Sequence, residues 1–348
     1  MSGTVLRVAA TFFLLLLCAC SAPRGPLSGV SVEGRFERAG DALRFGFPGA
    51  RISFNAPGPV TLDVESTGSK GAVDIRLPGQ VWERRDLRQG RQTLTLPITA
   101  PGRVEIVRRN ESWQGDLILH AVTPLHGTLG PAPALPTRKI LFIGDSITAG
   151  AGTDVSVEDA GLGKPLDSAR LAFPRILGDR LDAQVHHIAY GGRGIVRDWR
   201  GYPTGRDGVR NAPDFYERAA PDGETEWRAE RFVPDAVIIA LGTNDFNEGV
   251  PDRSFFVDSY ADFLATIRAD YPGVPILLLN SPMTGGDKGR TLEGYLDRVA
   301  EVAGEGVHRL NTARYEGRPS VVGHPTDAQH IAIADEIEPV LRTLIEGD

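Results

Sequence analysis

Ile140-Leu141-Phe142-Ile143-Gly144-Asp145-Ser146-Ile147-Thr148-Ala149-Gly150 is the stretch whose reading decides how this chain folds. Four consecutive apolar residues closed by a turn fit a strand buried on both faces. Gly-Asp-Ser then turns the chain at the carboxyl end of that strand. In an open α/β sheet the crevice beyond the strand ends is where ligands bind. A serine placed there stands at one edge of the sheet. Beside it are the first N–H groups of the following helix, which have no intrahelical acceptor and can bind an anion. Taken alone, the three residues also fit a plain strand-to-helix turn with Asp145 or Ser146 as N-cap.

Outward from this stretch the same alternation continues. A helix is expected near Phe173 to Leu181, a strand from Gln184 to Ala189 and another from Ala236 to Leu241. Phe256, Tyr260, Phe263, Leu264 and Ile267 then fall on one helical face. Ile276 to Leu279 and Val307 to Leu310 read as further strands, with helices at Leu292 to Ala303 and Thr326 to Ile345. Apolar strands alternating with amphipathic helices predict an α/β domain over residues 139–348, a parallel sheet covered on both faces. The span from Val196 to Phe232 is long for a single connection, and such spans are usually functional. It carries Trp199, Tyr202, Tyr216 and Trp227. These aromatics fit two uses, stacking on sugar rings or packing the insertion onto the domain.

Residues 28–124 have a different period. Val60, Leu62 and Val64 alternate with Thr61, Asp63 and Glu65, and Val73, Ile75 and Leu77 and then Leu117, Leu119 and Ala121 repeat the pattern. Pro57-Gly58-Pro59, Pro78-Gly79 and Pro101-Gly102 separate the runs. Short strands with one apolar face predict an antiparallel β-sandwich. Residues 125–138, with Pro131, Pro133 and Pro136, form a stiff connector.

The chain has 348 residues, 41% of them hydrophobic, and a formal net charge of −7. The acidic balance argues against nucleic acid or an anionic membrane surface as partner, because both select for basic patches. A neutral polysaccharide remains open. Residues 1–20 read as a signal peptide. Arg7 precedes the apolar stretch Val8 to Leu17, too short to span a bilayer, which ends in Leu17-Cys18-Ala19-Cys20-Ser21. That ending resembles a bacterial lipoprotein signal with Cys20 as the lipidated residue. An exported protein held to the membrane only by that anchor is the expectation, in the outer membrane or facing the periplasm. Both cysteines lie in this segment, so the mature chain has no disulfide and no thiolate metal site. Asn110-Glu111-Ser112 matches a glycosylation sequon, which such a signal makes irrelevant.

Two further segments carry chemistry. Leu241-Gly242-Thr243-Asn244-Asp245 follows a strand, and Gly323-His324-Pro325-Thr326 opens the last helix. With Gly191, Gly192 and Gly194 after the strand ending at Ala189, they complete an ordered set: Ser, Gly, Asn, His. From about Lys139 onward the chain resembles the SGNH (GDSL-type) hydrolases. That resemblance implies a three-layer, flavodoxin-like hydrolase domain and a serine nucleophile. Ser146 needs a base within hydrogen-bond reach. Of the seven histidines, His324 alone sits at a helix-opening loop in the order the family demands. The resemblance implies an oxyanion site made by Ser146, Gly194 and Asn244, with Gly191 and Gly192 as alternatives to Gly194. Asp145 and Asp245 are expected to brace the turns.

One position departs from that family's pattern. The acid that stands three residues before the histidine is replaced by Val321, and the nearest acids are Glu316 and Asp327. This, the sandwich, Val104 to Glu111, and Ser281-Pro282-Met283 resemble carbohydrate esterase family 2, whose acetyl xylan esterases can work with a Ser–His dyad. The resemblance implies deacetylation of a polysaccharide or oligosaccharide with no cofactor and no metal. Two alternatives stand beside it. One is an SGNH lipase or thioesterase on other acyl esters; the other is a carbohydrate-binding lipoprotein without activity.

Overall fold

The computed structural model describes residues 25–156, 164–313 and 322–347. The signal stretch with Cys20, and the positions Glu316 and Val321, lie outside the described residues.

The first half is a sandwich of two antiparallel sheets. One has the order β1 (Val30–Glu33), β4 (Arg51–Ala56), β9 (Gly102–Arg108), β6 (Ala72–Arg76), β7 (Trp82–Asp86). The other runs β2 (Glu37–Ala39), β3 (Ala42–Phe45), β10 (Leu117–Pro124), β5 (Val60–Ser66), β8 (Gly90–Leu96). Val60, Leu62 and Val64 of β5 point inward beside Phe45, Phe54, Val104, Leu117 and Leu119, all buried. The period-two pattern is thus a consequence of one face meeting the other sheet. The connector follows the sandwich edge, where Asn55 Nδ2 donates to the Pro131 carbonyl at 2.9 Å and Gly130 N to the Asn55 carbonyl at 2.9 Å.

The second half is a five-stranded sheet with the order β12 (Ala183–Ala189), β11 (Arg138–Gly144), β13 (Ala236–Ala240), β14 (Ile276–Leu279), β15 (Val307–Leu310). All of its pairings are parallel. This is the flavodoxin-like order, with its switch point beside β11. The helices are α1 (Ser146–Ala149), α2 (Phe173–Arg180), α3 (Ala212–Tyr216), α4 (Arg253–Asp270), α5 (Gly286–Ala303) and α6 (Asp327–Glu346). Alternate strand residues serve opposite faces. Leu141, Ile143, Val237 and Ile239 pack with Phe256, Tyr260 and Leu264 of α4 and Leu296 of α5. Ile140, Phe142, Val185 and Ile238 pack with Phe173 and Leu177 of α2 and Ile333, Ile337 and Leu341 of α6. Burial on both faces is why these strands read as continuous apolar runs.

The halves meet through charge, which the alternating pattern of the sandwich conceals. Asp74 of β6 is 1% exposed because the second half covers its face of the sheet. It accepts from Arg109 Nη1 at 2.5 Å, Arg170 Nε at 3.0 Å and Ser168 Oγ at 3.1 Å. Arg109 Nη2 reaches Asp154 at 2.5 Å. Arg175 of α2 pairs with Glu33 of β1, whose Oε1 also accepts Val185 N at 2.7 Å. Arg35 donates to the carbonyls of Tyr216 and Arg218. Breaking such a buried pair from one side costs about 3–5 kcal/mol, so the two halves are held as a unit.

Candidate active site

β11 ends at Gly144, where a Cβ would come within 2.0 Å of Thr148 Oγ1 and 3.1 Å of the Ala240 carbonyl. Only glycine lets α1 turn back this closely over the strand end. Asp145 caps α1, its Oδ1 accepting Ile147 N at 3.0 Å. Ser146 is the first helical residue, and its N–H belongs to the set that a helix leaves without an internal acceptor. Ser146 lines a cavity of about 1100 Å³ at the carboxyl ends of the strands.

His324 stands across from it. Its Nε2 is 2.8 Å from Ser146 Oγ and its Nδ1 is 3.0 Å from the Val322 carbonyl. A carbonyl oxygen only accepts, so Nδ1 carries the proton and Nε2 presents a lone pair to the serine hydroxyl. The loop is anchored just after the histidine. Thr326 caps α6, with Gln329 Oε1 accepting Thr326 N at 2.9 Å, and Asp327 N donates to the Thr153 carbonyl at 2.9 Å. The Asp327 carboxylate accepts Ala328 N at 2.8 Å, on its own helix. His330, one turn further on, is buried against Phe173, and burial brings its pKa down to about 3. A neutral core histidine of this kind cannot substitute for His324.

Asn244 follows β13 and joins the turn that carries Ser146 to the glycine loop. Its Nδ2 donates to Asp145 Oδ2 at 3.2 Å and to the Arg193 carbonyl at 2.9 Å. Burial pushes the Asp145 carboxyl up to about 7. Asp245, fully buried, turns the other way and accepts Ile195 N at 3.0 Å, Val196 N at 2.8 Å and Arg197 N at 3.2 Å. Both aspartates therefore brace turns, as their positions in the sequence suggest. At Gly194 a Cβ would lie 2.1 Å from Asp245 Oδ2, which excludes every side chain. Gly194 is buried behind Arg193, whereas Gly191 and Gly192 are on the cavity wall. The Gly191 N–H is committed to Glu111 Oε2 at 3.1 Å. As a donor Gly191 would have to share that N–H with Glu111, and Gly194 and Gly192 stand beside it as the alternatives.

Of Trp199, Tyr202, Tyr216 and Trp227 in the Val196–Phe232 insertion, Trp199 reaches the cavity and is 54% exposed. Tyr216 is buried under α4 against Phe263, and Trp227 packs on the same core; for these two the packing use holds. Tyr202 is held between Arg200 and Arg206. Trp113, which no sequence pattern marks, is 53% exposed on the same cavity from the 3₁₀ turn Ser112–Gln114 of the sandwich half. Glu111 and Lys70 reach the cavity from that half as well. Short-range pattern carries no sign of them, because their link to Ser146 is a contact between domains. Among the described residues no group of three or more His, Cys, Asp or Glu side chains is arranged to hold a metal ion.

Comparison with known proteins agrees with this geometry. Residues 142–331 match the model of the GDSL-like Lipase/Acylhydrolase family. The chain is 33% identical over 326 residues to an acetylxylan esterase / glucomannan deacetylase of Cellvibrio japonicus, an alignment covering 91% of this chain and 89% of that one. The solved structure of a family two carbohydrate esterase from the same organism superposes with a TM-score of 0.85 at 32% identity, over 92% of this chain and 97% of that one. A family two carbohydrate esterase from Clostridium thermocellum, solved in complex with cellohexaose, shares the fold with a TM-score of 0.83 at 22% identity, over 91% and 99% of the two chains. Two-domain architecture, strand order and the meeting of Ser146 with His324 lead to one assignment: the chain belongs to the GDSL-like lipase/acylhydrolase family and, within it, to carbohydrate esterase family two.

Proposed function

We propose that this protein is a serine esterase that removes O-acetyl groups from an acetylated polysaccharide or oligosaccharide. The observation that carries the reading is the 2.8 Å contact between His324 Nε2 and Ser146 Oγ at the wall of a saccharide-sized cavity. The His324 Nε2 lone pair takes the hydroxyl proton as Oγ attacks the acetyl carbonyl. The tetrahedral oxyanion is met by the Ser146 N–H, the Asn244 amide and one N–H of the glycine loop, which we assign to Gly194. Collapse expels the sugar oxygen, which takes the proton back from Nε2, and acetyl-Ser146 remains. Water, deprotonated by the same nitrogen, attacks the acetyl group and releases acetate. The Val322 carbonyl keeps the imidazole in the tautomer this cycle needs.

The name of the C. japonicus relative supports an acetylated hemicellulose as substrate. So do two exposed tryptophans, Trp113 and Trp199, on one cavity, whose flat faces suit pyranose rings. Lys70, Lys164, Arg193, Arg200 and Asn247 on the same wall offer polar partners to sugar hydroxyls, which supports a saccharide over a long acyl chain as the group bound there. The deciding experiment is acetate release from acetylated xylan and glucomannan by the wild type and by Ser146→Ala. Release that survives in the variant refutes the serine mechanism.

We further infer that Cys20 is lipidated and anchors the mature chain to a bacterial membrane, on the strength of Leu17-Cys18-Ala19-Cys20 after the apolar stretch. Cys20→Ser should then move the protein from the membrane to the soluble fraction of an expressing cell. An unchanged distribution refutes the anchor.

A further inference from the structure

Glu111 is a buried carboxyl group for which the acylation steps have no use. It lies just past β9 in the sandwich half, is 1% exposed, and yet lines the catalytic cavity. Its Oε2 accepts Gly191 N at 3.1 Å, and a Cβ on Gly191 would lie 2.6 Å from its Oε1. The carboxyl group thus occupies the place where any other residue at 191 would carry its side chain. One residue further on, Ser112 Oγ donates to the Ala189 carbonyl at 2.7 Å. The glycine loop is held from the other domain on both sides of Tyr190.

The holder is itself fixed. Arg108 donates to the carbonyls of Asn110 at 2.6 Å, Gly115 at 2.5 Å and Glu111 at 3.2 Å. Asn110 Oδ1 accepts Ala72 N at 2.6 Å, and its Nδ2 donates to the Lys70 carbonyl at 2.7 Å and to Gln114 Oε1 at 2.9 Å. Gln114 Nε2 in turn reaches Asp167 of the hydrolase half at 2.5 Å. Such a network, satisfied at each of these groups, locks the orientation of the side chain it carries.

We propose that Glu111 is a positioning residue for the esterase reaction, acting through Gly191 to hold the Gly191–Gly194 loop and its backbone donor in register with Ser146 and Asn244. The inference rests on the esterase reading. It also explains why the group is an acid without a paired base. Burial, reinforced by Asp167 and Asp145, pushes its pKa up to about 8, against the downward pull of the Gly191 N–H and Arg108. The Arg108 guanidinium is occupied by backbone carbonyls and does not form an ion pair with it. At neutral pH the group is therefore a neutral acid that accepts the Gly191 N–H. It adds no negative charge beside a developing oxyanion. Above about pH 8 a carboxylate appears there and opposes the transition state.

The test uses the full chain, p-nitrophenyl acetate and a pH series across this range. Glu111→Ala should lower kcat by about tenfold or more with KM nearly unchanged, since small displacements of catalytic groups cost up to about 10²-fold. It should also speed hydrogen exchange in the peptide spanning Ala189 to Gly194. Glu111→Gln, which keeps the acceptor, should stay within about threefold of wild type at neutral pH and lack the alkaline fall that the wild type shows. A folded Ala variant with wild-type kcat overturns the proposal, as does a Gln variant that retains the alkaline fall. If the Ala variant does not fold, the Gln profile decides alone. If the wild type itself hydrolyses no ester, the esterase reading fails, and the exchange measurement on Glu111→Ala still reports whether residue 111 holds the loop.

Discussion

Replacing Asn244 by alanine tests its proposed role as the side-chain donor of the oxyanion site, and the structure sets the size of the expected loss. Both N–H bonds of the amide are engaged in the resting enzyme, at 2.9 Å to the Arg193 carbonyl and 3.2 Å to Asp145 Oδ2. The longer bond is the one an oxyanion can share, so the donor is worth the low end of the usual range for such groups. That low end is about 10²-fold in kcat, or about 2.7 kcal/mol. The substrate ground state carries a carbonyl and no oxyanion, so KM for p-nitrophenyl acetate should move little. Stability should fall too, because the Arg193 carbonyl and Asp145 Oδ2 lose a partner in a site where Asn244 itself is 8% exposed. Each orphaned buried group costs about 1–3 kcal/mol. Steady-state kinetics with a thermal melt separate the two effects. A variant with kcat within a factor of about three, or with its whole loss in KM, refutes an oxyanion role for Asn244.

His324→Ala should remove nearly all turnover, while Asp327→Asn stays within about tenfold, far from the roughly 10⁴ lost with a triad acid. A collapse of kcat in the Asp327 variant would show that this carboxylate has a catalytic part. Trp113→Ala and Trp199→Ala should each raise KM on acetylated polymer by about 10-fold, as loss of a stacking face of about 1.5 kcal/mol implies, and much less on p-nitrophenyl acetate. Equal effects on both substrates would argue against sugar stacking. Acetyl esters should be turned over far faster than butyryl ones, and equal rates would favour the lipase reading. Finally, the folded pKa of Glu111 lies above its ordinary 4.5, at about 8. Its contribution to stability is present in full below the lower value and is lost as the pH rises through the upper one. The melting temperature of Glu111→Gln should therefore gain on that of wild type across this window, by a shift on the order of a few kcal/mol in stability, and a constant difference refutes the assignment.

What short-range pattern contains, the sequence shows. Ile140 to Ile143 can only be a strand sealed on both sides, and all four are fully buried. Phe256, Tyr260, Phe263, Leu264 and Ile267 lie on the face of α4 that their spacing implies. α5 is expected from Leu292 and begins at Gly286, because its first turns carry Gly286, Asp287, Lys288 and Gly289 and no apolar residue to mark the period. α3 is too short to show a period at all; its signals are the capping pair Asn211 and Asp214 with Pro213 between them. Ser146, Asn244 and His324 were legible because each sits at a strand end or a helix opening with glycine beside it. Glu111 and Trp113 were not, since their place at the cavity depends on how one domain docks on the other.

That docking has a consequence for modularity. The proline-rich connector invites treatment of the sandwich as a detachable accessory, to be trimmed or swapped between enzymes. Cutting there would strand Arg175, Asp154 and the Ala189 carbonyl on the catalytic half without Glu33, Arg109 and Ser112. The glycine loop would lose its external clamp at the same stroke. The unit that can be recombined or inherited is the whole two-domain body, and a sequence tract that carries Ser, Gly, Asn and His without its sandwich is not a smaller version of this enzyme.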